Sequence, residues 1–400
     1  MLIVLLALRD LLRDRFFLLC NVAVLAGVLV PLLVLFGVKN GVYQALIGQM
    51  MTNPATLQID TQGNADLTEA AIAPLRDWPE VAFVTPRTRS QFDYVNVFRP
   101  GGGPGAMREA LLLPSGAGDP NLPPGMVLAP DEVALSPLLA QQMRIAAGDR
   151  VDLVTQAETR PKQLRLSVLV RAVLPDTVST GRSVLAPFAT LDLVEAFYDA
   201  YALPEHGITQ GKPLASRVPR FEGVRLYARS LEELAPLQQR VEAHLGMATS
   251  ARSREVAALL GLGRNLDLAL GLTTVLAGLG LAAALLFGFW SDAMRKRGTL
   301  ATLAMLGLPA RGLALFPLVQ ALVTAAIGVA LSFALYGLAA QVAARLFGQG
   351  LPGNAPVAVI APDQAAVIVA AVLGLVLVAA AAAAWAVQRV DPARVLREGG

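Results

Sequence analysis

The stretch DAMRKRGTLATLAMLGLPARGL, from Asp292 to Leu313, decides the fold of this chain, because a long apolar run lies on each side of it. It begins with a basic cluster, continues with leucines at helical spacing, and ends in a Gly-Leu-Pro break. About 20 mostly apolar residues are enough to cross a bilayer as a helix. The stretch is therefore interpreted as a short elbow between two membrane spans.

Composition indicates a membrane part and a soluble part. The chain of 400 residues is 55% hydrophobic with a mean hydropathy of +0.55, and only 16% of it is charged, against about 25% in soluble domains. Four runs are long and apolar enough to span: 16–38, 268–290, 313–340 and 365–387. Nearly all acids lie between about 40 and 264, a length that can bury its own core. We predict a polytopic α-helical membrane protein with four transmembrane helices and a large α+β extracytoplasmic domain.

The chain divides into nine predicted segments. Apolar and charged residues alternate before the first span in a way that favours an interfacial helix. The order is interfacial helix 1–15, span 16–38, extracytoplasmic domain with helical stalks 39–265, span 266–290, elbow 291–311, span 312–340, external loop 341–364, span 365–387 and tail 388–400. Gly41 is expected to be a weak point of the first stalk, and Cys20 a small buried apolar residue of the first span.

Basic residues define the orientation, since Lys and Arg concentrate in cytoplasmic segments next to spans. They cluster before the first span, in the elbow and after the fourth span: Arg9, Arg13, Arg15, Arg295, Lys296, Arg297, Arg311, Arg389, Arg394 and Arg397. This predicts two cytoplasmic termini and a large domain outside, which in a cell with two membranes is the periplasm. The net charge of +3 comes from these flanks, so nucleic-acid binding is not expected.

The large domain mixes strand and helix patterns. Runs of β-branched, aromatic and aliphatic residues predict strands at 55–60, 81–86, 92–98, 108–114, 151–155, 162–174, 182–187 and 221–229. Helices are predicted at 136–143 with Ser136 as cap, at 188–203, and at 231–245. For the last helix, Ser230 and Glu233 match a capping box, and Pro236 is expected to limit or kink it. Without a strict βαβ rhythm, the class is α+β.

The spans carry few polar groups. Residues 268–290 and the fourth span contain no ionisable side chain, whereas ion-coupled carriers depend on such groups inside the membrane. The second and fourth spans are rich in small residues, which let helices approach closely. Two interpretations of these helix faces are equally compatible with the sequence. The small residues could pack against other helices of the same chain or against a second copy of the chain in a dimer.

The elbow itself predicts a short amphipathic helix across the cytoplasmic face. Three leucines recur at helical spacing after the basic run, Gly307 ends the helix, and Pro309 suits the first turn of the next one. A plain interface helix packed on lipid is the alternative interpretation of this segment.

The joint pattern resembles the FtsX/MacB-type permeases, a family that includes LolC- and LolE-like members. In that family a basic run, a short helix and an Ala-Leu-Gly-like break join the second and third spans, as in RKRGTLATLAMLGLPARGL here. The ending VDPARVLREGG, the segment LSPLLAQQMRIAAGDRVDLVT, and the order of one span, outer domain and three spans are also similar. The likeness covers essentially the whole chain, although Thr299 stands where the family often has an acid.

The resemblance implies a permease subunit of an ABC transporter. Its expected partners are a dimer of cytoplasmic ATPase subunits, a second permease copy or paralogue, a periplasmic adaptor or substrate protein, and the lipid bilayer. The chain has no Gly-x-x-x-x-Gly-Lys-Ser/Thr, so ATP and Mg²⁺ are expected in the partner, with no cofactor, metal or catalytic residue here. The expected ATPase-coupling residues are Arg295, Lys296, Arg297, Leu300, Leu303, Leu306 and Gly307.

Two other classes of function remain open. In the first, the chain is a signalling subunit that drives a periplasmic partner such as a cell-wall hydrolase without transport, as some members of the family do. In the second, it is an enzyme, which the residues disfavour. His206 and His244 are the only histidines and lack metal-ligand spacing, and Ser115 lacks the Gly-x-Ser-x-Gly context. The sequence does not name a substrate.

Overall fold

The computed structural model of the chain describes residues 2–89, 92–101, 107–158, 160–178, 181–296, 298, 310–347 and 357–388. The chain forms two compact units. The helical unit comprises Met1–Gly48 and Leu262–Gly400, and the β-containing unit comprises Gln49–Gly261.

The α-helices among the described residues are numbered in chain order. They are α1 (Leu2–Arg13), α2 (Arg15–Thr52), α3 (Glu69–Ile72), α4 (Pro137–Met143), α5 (Phe188–Tyr198), α6 (Leu231–Leu245), α7 (Ser253–Arg295), α8 (Ala310–Phe347) and α9 (Pro362–Gln388). Four of them, α2, α7, α8 and α9, are long and apolar enough to cross a membrane. This agrees with the four apolar runs of the sequence.

All four long helices contribute to one apolar core in the helical unit. It includes Leu25 of α2, Leu285 of α7, Ala325 of α8 and Val376 of α9. Alanines of α9 are buried in this core, at positions Ala379, Ala380 and Ala383. The small face of the fourth span is thus used for packing within the chain. Three glycines of α7 differ, because a Cβ added to Gly271, Gly278 or Gly280 would meet no atom within 4 Å.

The expected continuation of the first span as a stalk helix is confirmed, whereas the expectation for Cys20 is wrong. Gly41 is buried inside α2, and the helix continues through it to Thr52; its weakness stays a prediction. Nearby polar contacts support this stretch: Lys39 Nζ lies 2.6 Å from Asp267 Oδ1 of α7, and Asn40 donates to Gln364 of α9 at 2.7 Å. Cys20 is exposed, because the buried side of α2 runs through Asn21, Val22, Leu25, Ala26, Leu29 and Leu33.

Helices α2 and α8 approach closely at Gly328. A Cβ added there would lie 2.8 Å from Leu25 Cδ1 and 3.1 Å from Leu25 Cβ, closer than carbon atoms pack. Small residues commonly permit such approaches between membrane helices.

Gly328→Ile is therefore expected to destabilise the helical unit by about 2 kcal/mol, as overpacking a tight core does. Unfolding of the purified chain by SDS in mixed micelles measures this loss. Gly374→Ile is the matched control, since a Cβ at Gly374 of α9 meets nothing within 4 Å and the gain in helix propensity is shared by both variants. Equal stability of the two variants would contradict this packing.

The β-containing unit holds the described strands, numbered in chain order. They are β1 (Gln58–Thr61), β2 (Val81–Arg87), β3 (Tyr94–Phe98), β4 (Met107–Ser115), β5 (Glu132–Leu135), β6 (Arg150–Thr155), β7 (Leu164–Val173), β8 (Ser183–Pro187), β9 (Gly223–Ala228) and β10 (Thr249–Ala251). Each of the eight predicted strand runs overlaps one of these. The short strands β5 and β10 were not predicted.

These strands form two sheets. The first is four-stranded and antiparallel, in the order β10-β1-β9-β2. With α3 between β1 and β2 and α6 between β9 and β10, it follows the β-α-β-β-α-β arrangement. The second is a closed barrel in the order β3-β4-β8-β5-β7-β6, inserted in the chain between β2 and β9. The α+β class of this unit is confirmed.

Two local predictions for this unit need correction. Ser136 precedes α4, but its side chain does not cap the helix; its Oγ instead accepts from the backbone N–H of Ser183 at 2.9 Å. Pro236 does not end α6, which continues to Leu245. One half of the predicted capping box is confirmed, since Ser230 Oγ accepts from the N–H of Glu233.

Candidate functional site

The predicted coupling residues are only partly described. Arg297, Leu300, Leu303, Leu306 and Gly307 lie outside the described residues, so the short elbow helix stays a prediction. Arg295 and Lys296 are described, at and just after the end of α7. They belong to a group of polar side chains that we call the charge cluster, formed by Asp10, Asp14, Asp292, Arg295, Lys296 and Gln320.

Lys296 is the centre of the charge cluster. Its Nζ lies 2.7 Å from Asp10 Oδ2, 3.2 Å from Asp292 Oδ2 and 3.8 Å from Asp14 Oδ2. Only 14% of its side chain is exposed. Arg295 forms ion pairs with Asp14 and, at 2.8 Å, with Asp292. Two basic residues at the end of α7 thus bind three carboxylates, two of which come from the other end of the chain.

Gln320 connects the charge cluster to α8. It is 4% exposed, and its Nε2 donates to Asp10 Oδ2 at 2.9 Å and to the carbonyl of Ala7 at 3.1 Å. Burial alone would raise the pKa of Asp10, but hydrogen bonds from Lys296 and Gln320 and the charge of Lys296 outweigh it and lower that pKa. The lowered pKa favours the ionised form of Asp10. Through its contacts with Lys296 and Gln320, Asp10 attaches α1 to both α7 and α8.

The charge cluster changes the interpretation of the basic run. Arg295 and Lys296 were expected to mark a membrane boundary and to flank a partner contact. The structure shows that both also form ion pairs within the chain, and the two expected roles stay predictions. Sequence reasoning missed Asp10, Asp14 and Asp292 because it counted only basic residues near the spans. The available signal was the presence of three acids in the same boundary segments.

Of the residues weighed for enzyme chemistry, His244 lies in ordinary structural surroundings. His244 Nε2 is 3.1 Å from the carbonyl of Ala71, and its ring packs edge-on against Trp78 at 5.4 Å. Within the described ranges, no group of three or more His, Cys, Asp or Glu side chains is arranged to hold a metal ion.

A separate titratable group, Asp93, lies next to β3 in the β-containing unit. Burial raises the pKa of Asp93 to about 6, with Glu222 and Glu195 adding to the rise, while a hydrogen bond from Thr88 and the charge of Arg87 oppose it. A carboxyl group whose pKa is raised on folding loses stability as it ionises. Stability is then highest below about pH 4 and falls as pH rises through about 6.

We expect Asp93→Asn to remove this pH dependence. At pH 7 the variant should be more stable than the original chain by about 1 to 2 kcal/mol, a value reduced from the full shift because Asp93 is partly exposed. At pH 4 the two should be equal. Urea unfolding followed by Trp78 fluorescence, with Trp290 and Trp385 changed to Phe, measures this in the full chain. A stability difference that does not vary with pH would contradict the assignment.

Comparison with known proteins adds no relative: no family model matches the sequence, and no curated protein is significantly similar to it. The function must therefore be argued from the architecture of the chain and from the charge cluster.

Proposed function

We propose that this chain is the permease subunit of an ABC transporter complex. A separate cytoplasmic ATPase hydrolyses ATP, and the permease converts that cycle into movements of the β-containing unit that export or extract a substrate at the periplasmic side. The observation that carries the proposal is the order of elements: α1, one apolar helix, a large β-containing unit, and three apolar helices.

The orientation is part of the proposal. We place the protein in a bacterial inner membrane, with both termini and the charge cluster cytoplasmic and the β-containing unit periplasmic. The asymmetry of basic residues supports this, because positive charge is retained on the cytoplasmic side. ATP and Mg²⁺ belong to the partner in this scheme.

The charge cluster supports the transmission of force from the elbow to the helices α1, α7 and α8. Residues 297–309 connect α7 directly to α8, and the charge cluster attaches α1 to the end of α7 through Asp10, Asp14 and Lys296. Gln320 attaches the same group to α8. A force applied to the elbow therefore acts on three helices that are braced against one another.

The length of α7 supports transmission away from the elbow. It is one continuous helix of 43 residues, or about 64 Å at 1.5 Å per residue, against about 30 Å for the hydrocarbon core of a bilayer. Helix α2 has 38 residues and also exceeds that thickness. Because an unbroken helix is stiff along its axis, displacement of one end of α7 moves the other.

The second permease copy has a candidate surface on α7. Only 11% of the most apolar stretch of α7 is buried within the chain, compared with 33% of the corresponding stretch of α2. The exposed residues include Leu268, Leu272, Leu276 and Leu279, each at least 60% exposed, beside glycines with open space. We propose that a second copy packs here, and the expected mass of the purified complex is that of two permease and two ATPase chains.

A photo-crosslinking experiment tests the ATPase contact directly. A photoreactive amino acid at Leu300, in the elbow, is expected to capture a P-loop ATPase in cells. The same amino acid at Leu346, exposed near the far end of α8, is the matched control and should not capture it. Capture of only lipid at Leu300 would favour the plain interface helix and contradict the proposal.

A further inference from the structure

A cleft of about 290 Å³ lies inside the β-containing unit, between one face of the four-stranded sheet and strands of the barrel. Strand pairing explains its polar side. Asp60 of β1 is opposite Arg225 of β9, and Gln58 is opposite Tyr227, so alternation along the strands presents these side chains on one face. Arg87 at the end of β2 lines the same cleft.

The other side of the cleft is mainly apolar. It is formed by Leu111 and Leu113 of β4, Leu185 of β8, and Val178. Asp93 also lines the cleft, next to these residues. The cleft therefore combines Asp60, Arg87 and Arg225 on the sheet side with an aliphatic wall, beside which Asp93 lies. Its volume is at the lower end of the range for small-molecule pockets, about 300–1,000 Å³.

Two carboxylates in the cleft lack a cationic partner among the described residues. Asp60 accepts from Gln58 Nε2 at 2.6 Å, and Asp93 accepts from Thr88 Oγ1 at 2.9 Å. Neither forms an ion pair with a described lysine or arginine, although Arg87 and Arg225 influence them at longer range. Burial raises the pKa of both groups, so a bound cation would stabilise their charged forms.

Two arginines in the cleft have unused donors. Arg225 is 5% exposed, and its Nη2 donates to the carbonyl of Pro114 at 2.6 Å and to Asp119 at 3.2 Å. Its Nε has no hydrogen-bond partner, and neither does the buried Nε of Arg87. Buried donors are nearly always paired in folded proteins, so neither guanidinium group has its hydrogen-bonding capacity filled, and both arginines line the cleft.

We propose that the cleft binds a small aliphatic amino acid in its zwitterionic form. Its ammonium group would pair with the carboxylates of Asp60 and Asp93, its carboxylate would accept from Arg87 and Arg225, and its side chain would contact the leucine wall. A metal ion is a poorer fit, because the described residues offer no group of three metal-ligating side chains. This inference concerns the β-containing unit alone and does not depend on the transporter assignment.

Isothermal titration of the full chain in detergent at pH 7.5 tests the proposal. The probes are L-alanine, L-valine, L-leucine and L-methionine, with L-leucinamide and 4-methylpentanoate as analogues that each lack one charge. At least one amino acid is expected to bind saturably, and each analogue at least tenfold more weakly than leucine. Failure of all four amino acids to bind at 10 mM would overturn the proposal. Binding of L-leucinamide as tight as that of L-leucine would also overturn it.

Variants separate specific binding from a general effect. Asp93→Asn and Arg87→Gln are each expected to weaken amino-acid binding at least tenfold. Asp176→Asn, which changes an exposed aspartate of the same unit, is the matched control and should bind normally. Trp78 fluorescence, with Trp290 and Trp385 changed to Phe, verifies that each variant is folded, and a folded Asp93→Asn protein with unchanged affinity would contradict the assigned contacts.

Discussion

Leu303→Asp is expected to abolish coupled function while the protein still inserts in the membrane. In the proposed elbow helix, Leu303 lies at the centre of the face formed with Leu300 and Leu306, and a charge there would be placed in an apolar contact with the ATPase. Burial of an unpaired carboxylate costs several kcal/mol, so coupled activity should fall at least a hundredfold. ATPase stimulation in the reconstituted complex and export in cells measure the effect.

Ala301→Asp provides the matched control for this experiment. At 100° per residue, Ala301 lies on the opposite face of the same predicted helix, so it adds the same charge to the same segment away from the contact. Its coupling should remain near that of the original chain. Equal loss of coupling in both variants would mean that any charge disrupts the elbow. Normal coupling in Leu303→Asp would contradict the proposed contact between the elbow and the ATPase.

Lys296→Glu is expected to produce the largest loss of stability in the helical unit. It would remove the cation that binds Asp10 and Asp292 and add a fourth carboxylate to the charge cluster. Because the lysine side chain is only 14% exposed, the loss should be about 3 kcal/mol, in the range for breaking a buried pair. SDS-induced unfolding in mixed micelles measures it, together with protease sensitivity of α1.

Four further single variants make this result specific. Lys296→Arg keeps the charge and should cost less than about 1 kcal/mol. Arg9→Glu, a charge reversal at an exposed position of α1, should change stability by less than about 0.5 kcal/mol. In a double-mutant cycle, Lys296→Ala and Asp10→Ala should show a coupling of about 1 to 2 kcal/mol. Additive effects would contradict the ion pair between α1 and α7.

The helices were predictable from sequence because their signal is local. A run of about 20 apolar residues is sufficient evidence for a span, and α2, α7, α8 and α9 each contain one. The continuation of α2 beyond the first span was predictable too, because helix propensity is only a weak preference and the helix runs on through the buried Gly41. The exposure of Cys20 was not predictable, because the sequence does not specify which side of a uniformly apolar helix faces the core.

The barrel was less predictable because its closure depends on distant pairings. Leu111 of β4 pairs with Ser183 of β8, and Glu132 of β5 pairs with Leu169 of β7, both in parallel. No local pattern specifies such partners. Strand β5 has only four residues and was missed, yet it lies between β8 and β7 and closes the barrel.

The candidate site shows the same division between local and distant information. Arg295 and Lys296 were identified from the basic run, but their partners Asp10 and Asp14 lie more than 280 positions away along the chain. A rule that counts only positive charge does not consider acids at the same boundary. Pairing between the two segments could be found only once the helices were placed together.

Purification of the chain from its native host in mild detergent, with identification of every co-purifying protein, tests the central claim most directly. The account predicts a P-loop ATPase in a 1:1 ratio with the permease, and loss of that ATPase from Leu303→Asp but not from Ala301→Asp. A preparation without any ATPase, in a detergent that preserves known ABC complexes, would contradict the account, and a stoichiometric cell-wall hydrolase without transport activity would favour the signalling subunit instead.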